Sequence, residues 1–77
     1  MTTKQPLLRP EDGAVFCGTI RPTEDGRFIA TCWAEIRAPQ IAMEAKSIAE
    51  FNTRKEAVAE ISHVAASRGF AMYEILP

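Results

Sequence analysis

The sequence predicts an α+β domain in which an antiparallel sheet of three or four strands, in the order β-β-β-α-β, carries one helix on one face. Three observations lead to this fold class. Two segments rich in β-branched and aromatic residues flank a turn signal, PTEDG, at residues 22–26. Residues 53–69 combine a helix start, a helical apolar period and a helix stop. A chain of 77 residues is the length of one domain.

The composition is that of a globular protein, with 47% hydrophobic and 25% charged residues and a net charge of −1. No run of about 18 apolar residues is present, so we expect no membrane-spanning helix. The first residues lack the apolar core of a signal peptide, which predicts a cytoplasmic location. Residues 1–12, which contain two prolines, are predicted to be a loosely ordered lead-in to a single domain over residues 13–77.

Residues 14–37 form the predicted hairpin, which can be closed in two ways. A two-residue loop would pair Glu24 with Arg27. A three-residue loop with Gly26 in the left-handed conformation would pair Thr23 with Arg27. The apolar pattern favours the longer loop, because that register gathers the large apolar residues on one face. The face then holds Phe16, Gly18, Ile20, Phe28, Ala30, Cys32, Ala34 and Ile36.

Residues 41–51, IAMEAKSIAEF, fit either a strand or a helix. The strand is favoured, because a helix that starts directly afterwards leaves almost no room for a turn between two helices. A strand would place Ile41, Met43, Ala45, Ala49 and Phe51 on one face and Glu44, Lys46 and Glu50 on the other.

Residues 54–68 are the predicted helix. Thr53 and Glu56 match a capping box, in which each side chain accepts a hydrogen bond from the other residue's backbone N–H. Gly69 follows as a helix stop, and residues 70–76 are predicted to form a short final strand. The apolar helix face is predicted to contain Ala57, Val58, Ile61, Val64 and Ala65.

The helix start is a candidate phosphate or anion contact formed by Thr53, Arg54 and Lys55. Unpaired N–H groups at a helix N-terminus bind anions, and two cations there oppose the helix dipole, which can mark a function. The favoured alternative is a helix cap followed by two solvated side chains. A near-neutral net charge also argues against dominant nucleic-acid binding, because that affinity grows with the phosphates neutralised.

This helix start, preceded by three strands, resembles double-stranded RNA-binding domains, in which a Ser or Thr and two basic residues open the second helix. The resemblance implies phosphate contacts by Arg54 and Lys55. The chain differs in having Val58 where that family has a further basic residue, and in having a proline-containing lead-in where that family has a helix before its first strand. The pattern F-x-T-x-x-E-A at residues 51–57 also resembles small bacterial β-β-β-α domains, a likeness that implies a fold and no activity.

Trp33 is the candidate centre of a protein-interaction face. The favoured hairpin register puts it on the sheet face away from the helix, together with Ile29, Thr31 and Cys17. A third strand that pairs beside it would add Ile48 as a neighbour. A large aromatic residue on a half-solvated face is typical of a contact with a second copy of the chain or another protein. The alternative is a different register in which Trp33 belongs to the core.

No set of residues predicts catalysis. His63 is the one histidine, and it lies on the predicted solvent side of the helix. Cys17 and Cys32 are predicted on opposite sheet faces, where they cannot share a metal. We therefore expect no enzyme, no cofactor and no metal. The leading hypothesis is a non-enzymatic interaction module that binds itself or another protein, and the rival is an RNA- or DNA-binding domain.

Overall fold

Five strands and one α-helix make up the described part of the chain, which confirms the predicted α+β class. A computed structural model describes residues 7–37 and 42–77. The elements in chain order are a 3-10 helix (Pro10–Asp12), β1 (Val15–Pro22), β2 (Phe28–Ile36), β3 (Ala42–Met43), β4 (Ser47–Phe51), α1 (Arg54–Ser67) and β5 (Glu74–Leu76). Strands β3 and β4 both pair with β2, β2 pairs with β1, and β1 pairs with β5.

The hairpin of β1 and β2 is closed by the predicted three-residue loop. Thr23 N–H donates to the carbonyl of Arg27 at 2.8 Å. Gly26 has φ of 85°, a backbone conformation that costs glycine little and other residues more. The register that the apolar pattern favoured is therefore the register of the structure.

One sheet face carries the core, and we call it the helix face; the opposite side is the open face. The hairpin register sets Phe16 opposite Ala34 and Ile20 opposite Ala30 on the helix face. Helix α1 packs its small and branched residues against them, namely Ala57, Ile61 and Ala65. Backbone and helix approach closely at Gly18, where a Cβ atom would lie 2.7 Å from Cδ1 of Ile61.

The predicted third strand is present from Ala42 onward, and Ile41 lies outside the described residues. It is interrupted between Met43, which is opposite Glu35, and Ser47, which is opposite Cys32. Residues 44–46 there face only two residues of β2, which makes a β-bulge. A bulge reverses the alternation of side chains, so the predicted grouping of Met43 with Ala49 and Phe51 on one face is wrong.

The bulge also explains the position of Glu44. The strand pattern predicted this side chain on the same face as Lys46 and Glu50. In the structure Glu44 is buried, 7% exposed, and contacts Arg68 at the end of α1. The alternation rule failed here because one extra residue in the strand sends the side chain to the helix face.

Helix α1 begins and ends within one residue of its predicted bounds. Thr53 is the N-cap, and the capping box with Glu56 is present. Gly69 has φ of 84°, and Phe70 N–H donates to the carbonyl of Ala65 at 2.9 Å, which closes the C-terminal turn. No helix of the described residues is both long and apolar enough to cross a bilayer.

The final strand β5 is shorter than predicted and runs parallel to β1, so the sheet is mixed. A helix that crosses over a sheet returns the chain to the end where the previous strand began. The strand that follows α1 therefore runs in the direction of β4, which is also the direction of β1. The connection through α1 thus accounts for the parallel pair.

Candidate interaction surface

The open face carries a row of uncharged side chains that crosses the sheet from β4 to β5. The pairing register sets Thr31 opposite both Ile48 and Thr19, and sets Thr19 opposite Leu76. We call these four residues the uncharged row. Ile48 is 71% exposed and the other three are half-buried. The most exposed apolar surface of the row therefore lies at the sheet border, on β4.

Trp33 lies on the open face beside the uncharged row, but its ring is covered. It is 4% exposed, and its cross-strand neighbour Cys17 is fully buried. The indole N–H donates to Oε1 of Glu35 at 2.7 Å, and the ammonium of Lys46 lies 4.5 Å from the ring centroid. The register puts Trp33 on the expected face, yet a partner would meet Lys46 and Glu35 before the indole.

The other two predicted contact residues, Ile29 and Thr31, keep part of their surface exposed. Thr31 belongs to the uncharged row. Ile29 lies in the next row, opposite Arg21 on β1 and Glu50 on β4. Charged side chains therefore border the uncharged row on this side.

Arg37 organises the charges at the other end of the open face. Its Nε donates to Glu35 at 2.7 Å, and its Nη2 donates to Glu74 at 3.0 Å and to Sγ of Cys17 at 3.3 Å. The hydrogen bonds from Arg37 and from the Trp33 indole hold the pKa of Glu35 below its ordinary value. Burial raises the pKa of the Cys17 thiol, with a further increase from Glu35. This cysteine is thus a packed side chain and a poor nucleophile.

Strand β4 forms one edge of the sheet, and its side chains alternate between the two faces. Lys46, just before the strand, and then Ile48 and Glu50 lie on the open face, whereas Ser47 and Ala49 lie on the helix face. All five residues are exposed. Among the residues that the structure describes, no strand pairs with the outer edge of β4. The edge therefore presents unpaired backbone groups beside a cation, an apolar residue and an anion.

Lys46 and Glu50 were not among the predicted contact residues, and Ile48 was predicted only as a neighbour of Trp33 on the third strand. The sequence signal for them was the alternation Lys-x-Ile-x-Glu, which places three different side chains on one face of a strand. This alternation places the three side chains on one face only if the segment is a strand, and the sequence of residues 41–51 also fits a helix.

The candidate anion contact at the start of α1 is exposed, and its cap is satisfied within the chain. The Thr53 hydroxyl accepts from Glu56 N–H at 3.1 Å, and Oε1 of Glu56 accepts from Thr53 N–H at 3.0 Å. The guanidinium of Arg54 lies 5.7 Å from the Phe28 ring centroid. Lys55 is exposed. An anion at this site would have to compete with the Glu56 carboxylate, which favours a cap over a phosphate site.

The buried ion pair of Glu44 and Arg68 does not follow from the sequence pattern of either segment. Two nitrogen atoms of Arg68 donate to the two carboxylate oxygens of Glu44. The same carboxylate accepts from Leu8 N–H at 3.1 Å and from Ala34 N–H at 2.9 Å. All of these contacts lie within the chain, and they tie together the lead-in, the sheet and the helix end. The pair is thus suited to holding the fold.

The remaining candidates are not brought together. His63 is exposed on α1, and Cys32 lies on the helix face, away from Cys17 on the open face. No group of three or more possible metal ligands occurs within residues 7–37 and 42–77.

Comparisons with protein-family models, with curated proteins and with solved structures found no match to this chain. The resemblance to double-stranded RNA-binding domains therefore rests on the helix start and on the order of elements.

Proposed function

We propose that this chain is a small interaction module without catalytic activity, which self-associates through its open face at the β4 border. The observation that supports the proposal is the position of Ile48. This side chain is 71% exposed, ends the uncharged row, and sits on an edge strand. Full burial of an isoleucine side chain contributes about 1.5–3 kcal/mol, and each copy supplies one.

The surroundings of Ile48 resemble an interface with an apolar centre and a polar rim. Thr31 continues the uncharged surface inward. Lys46 and Glu50 flank Ile48 along the edge. Glu50 forms a salt bridge with Arg27, in which Nη1 of Arg27 lies 2.9 Å from Oε1 of Glu50. Charges at the rim of a contact set its orientation and contribute little to its affinity.

Self-association is tested by sedimentation velocity and thermal unfolding over a wide range of protein concentration. We expect the sedimentation coefficient and the Tm to rise with concentration, because a dimer contact stabilises the folded chain by mass action. Ile48→Ser should remove this dependence. Val15→Ser, on the open face but on β1, is the matched control and should keep it. Monomer sedimentation at every concentration, with a constant Tm, would overturn the proposal.

Nucleic-acid binding is the competing outcome, and the same protein samples test it. A short RNA duplex is titrated at low salt while backbone NMR shifts are recorded. Shifts confined to residues 53–56, lost in Arg54→Ala and Lys55→Ala and reversed by added salt, would replace self-association with phosphate binding at the helix start.

A further inference from the structure

We propose that two copies of this chain pair edge to edge along β4, in antiparallel orientation, with Ile48 on the twofold axis. The inference rests on the self-association proposed above and states how the second copy is seated. A twofold contact uses the same surface in both copies, so the surface must be complementary to itself. The β4 segment meets this condition.

The self-complementarity follows from the sequence of the edge. With Ile48 opposite Ile48 of the second copy, Lys46 lies opposite the second copy's Glu50, and Glu50 opposite the second copy's Lys46. Strand β4, together with Lys46 directly before it, thus supplies an apolar pair between two ion pairs, all on the open face. Cross-strand pairs of opposite charge stabilise a sheet and like charges destabilise it.

Neighbouring registers lose this match. A twofold axis through Ser47 would set Lys46 opposite Ile48 of the second copy. An axis through Ala49 would set Ile48 opposite Glu50. In both cases a charged side chain faces an apolar one and the ion pairs are lost. The chain therefore specifies the register centred on Ile48.

On the helix face this contact brings small side chains together. In the proposed register Ser47 lies opposite Ala49 of the second copy, and both residues are small and exposed. Pairing would also satisfy the backbone N–H and C=O groups on the outer edge of β4, the mode of recognition known as strand addition.

Edge pairing fits the open face better than stacking of two open faces. The uncharged row is only one residue wide along each strand, with Arg21 and Glu50 on one side of it and Lys46 and Glu74 on the other. A stacked copy would bury these charges, which is costly. Edge pairing leaves Arg21 and Glu74 solvated and sets Lys46 and Glu50 in ion pairs at the surface. It also joins the uncharged rows of the two copies through Ile48.

The contact involves a single strand pair and is therefore small. Interfaces of this size belong to weak or transient associations. We expect a dissociation constant between about 10 µM and about 1 mM, and the protein concentrations must cover that range.

Charge reversal tests the proposed register. Lys46→Glu places a glutamate opposite Glu50 of the second copy, and Glu50→Lys places a lysine opposite Lys46. Each variant alone should dimerise about tenfold more weakly than the wild type, because two attractive pairs become repulsive. An equimolar mixture of the two variants should form a heterodimer of wild-type affinity, since opposite charges face each other again in both pairs. Lys55→Glu, the same change on exposed α1, is the control and should have no effect.

A cross-link provides a second measurement that does not depend on charge. Residues on the twofold axis of an antiparallel pair have Cα atoms about 4.5–5.5 Å apart, which a disulfide can span. Ile48→Cys should therefore give a covalent dimer under mild oxidation, whereas Glu24→Cys, exposed in the hairpin loop, should give far less. The native thiols of Cys17 and Cys32 are buried and do not compete.

The outcomes separate this inference from the proposal on which it rests. Dimerisation that is insensitive to both charge reversals, without cross-linking through position 48, would overturn the edge register and leave self-association standing. A wild-type chain that stays monomeric up to about 1 mM would overturn both. Circular dichroism of each variant establishes that it is folded, as expected for changes at exposed side chains.

Discussion

The carboxylate of Glu44 and the guanidinium of Arg68 form a two-point ion pair between the bulge after β3 and the end of α1. Nη2 of Arg68 also donates to the carbonyl of Leu8 at 2.9 Å. A bidentate pair of this kind fixes both the distance and the relative orientation of the segments that it joins.

Removal of one member of this pair should destabilise the fold strongly. Arg68→Ala leaves the buried Glu44 carboxylate without its counter-charge, and such a loss costs about 3–5 kcal/mol. Urea unfolding at neutral pH measures the change in the free energy of unfolding. Arg27→Ala, which removes the half-exposed pair with Glu50, is the control and should cost at most about 1 kcal/mol. A loss for Arg68→Ala as small as that of the control would show that the buried pair contributes little.

The same pair makes stability depend on acid. Burial acts to raise the pKa of Glu44, but hydrogen bonds from Arg68, Leu8 and Ala34 and the charge of Arg68 outweigh burial and lower it below the ordinary 4.5. Because the pKa of Glu44 is lowered in the folded state, ionised Glu44 stabilises the fold fully above pH 4.5. This stabilisation is lost as the pH falls through the pKa that Glu44 has in the folded state. The free energy of unfolding is measured from about pH 7 to about pH 3. It should decrease once the pH falls below 4.5, the ordinary pKa of a glutamate.

Glu44→Gln is the variant that tests this assignment. It should be less stable at neutral pH and should show a flatter acid dependence, because the group that takes up the proton is gone. An acid dependence as steep as that of the wild type would assign the effect to other carboxylates, of which Glu35 also has a lowered pKa.

A methyl group at Gly18 should destabilise the core by overpacking. The added Cβ atom would lie 2.7 Å from Cδ1 and 3.1 Å from Cγ2 of Ile61. Overpacking of this kind costs about 1–3 kcal/mol. Ile61→Val removes the Cδ1 atom, so Gly18→Ala should cost less in the Ile61→Val background than in the wild type. A double-mutant cycle of unfolding free energies measures this coupling, and strictly additive effects would contradict the predicted contact.

The two cysteines should be unreactive in the folded chain. Cys17 is fully buried and Cys32 is 8% exposed, and burial raises the pKa of both thiols. Labelling with an aromatic disulfide reagent at mildly alkaline pH should therefore be limited by the rate at which the folded structure opens around each thiol. It should be rapid only in denaturant. Fast labelling of either thiol without denaturant would show that its face of the sheet opens locally.

The parts of the fold that sequence could predict are those fixed by local chemistry. Gly26 and the apolar alternation determine the hairpin register, since a one-residue slip would send one strand's side chains to the other face. Thr53 with Glu56, and Gly69 beyond the end, mark the bounds of α1. These signals lie within a few residues of the structure that they predict.

The parts that sequence missed depend on contacts between distant segments. The bulge at residues 44–46 breaks the period of two, so the burial of Glu44 cannot be read from alternation. Its partner Arg68 is 24 residues away. The cover over Trp33 likewise comes from Lys46, whose position depends on that bulge.

The sequence predicts only part of the candidate interaction surface. The open face and the contribution of Thr31 follow from the predicted register. The exposure of Ile48 could not be predicted, because it depends on which strand lies at the edge of the sheet. The order of strands is a property of the whole fold.

The two outer edges of the sheet differ in length, and this difference limits how far the chain can assemble. Strand β4 offers five residues and is bounded by the bulge and by α1, whereas β5 offers three. A twofold contact along β4 uses the long edge of both copies and leaves only the short edges outside. Growth into a fibre requires two edges that can each continue a sheet, and so assembly of this chain should stop at a closed pair.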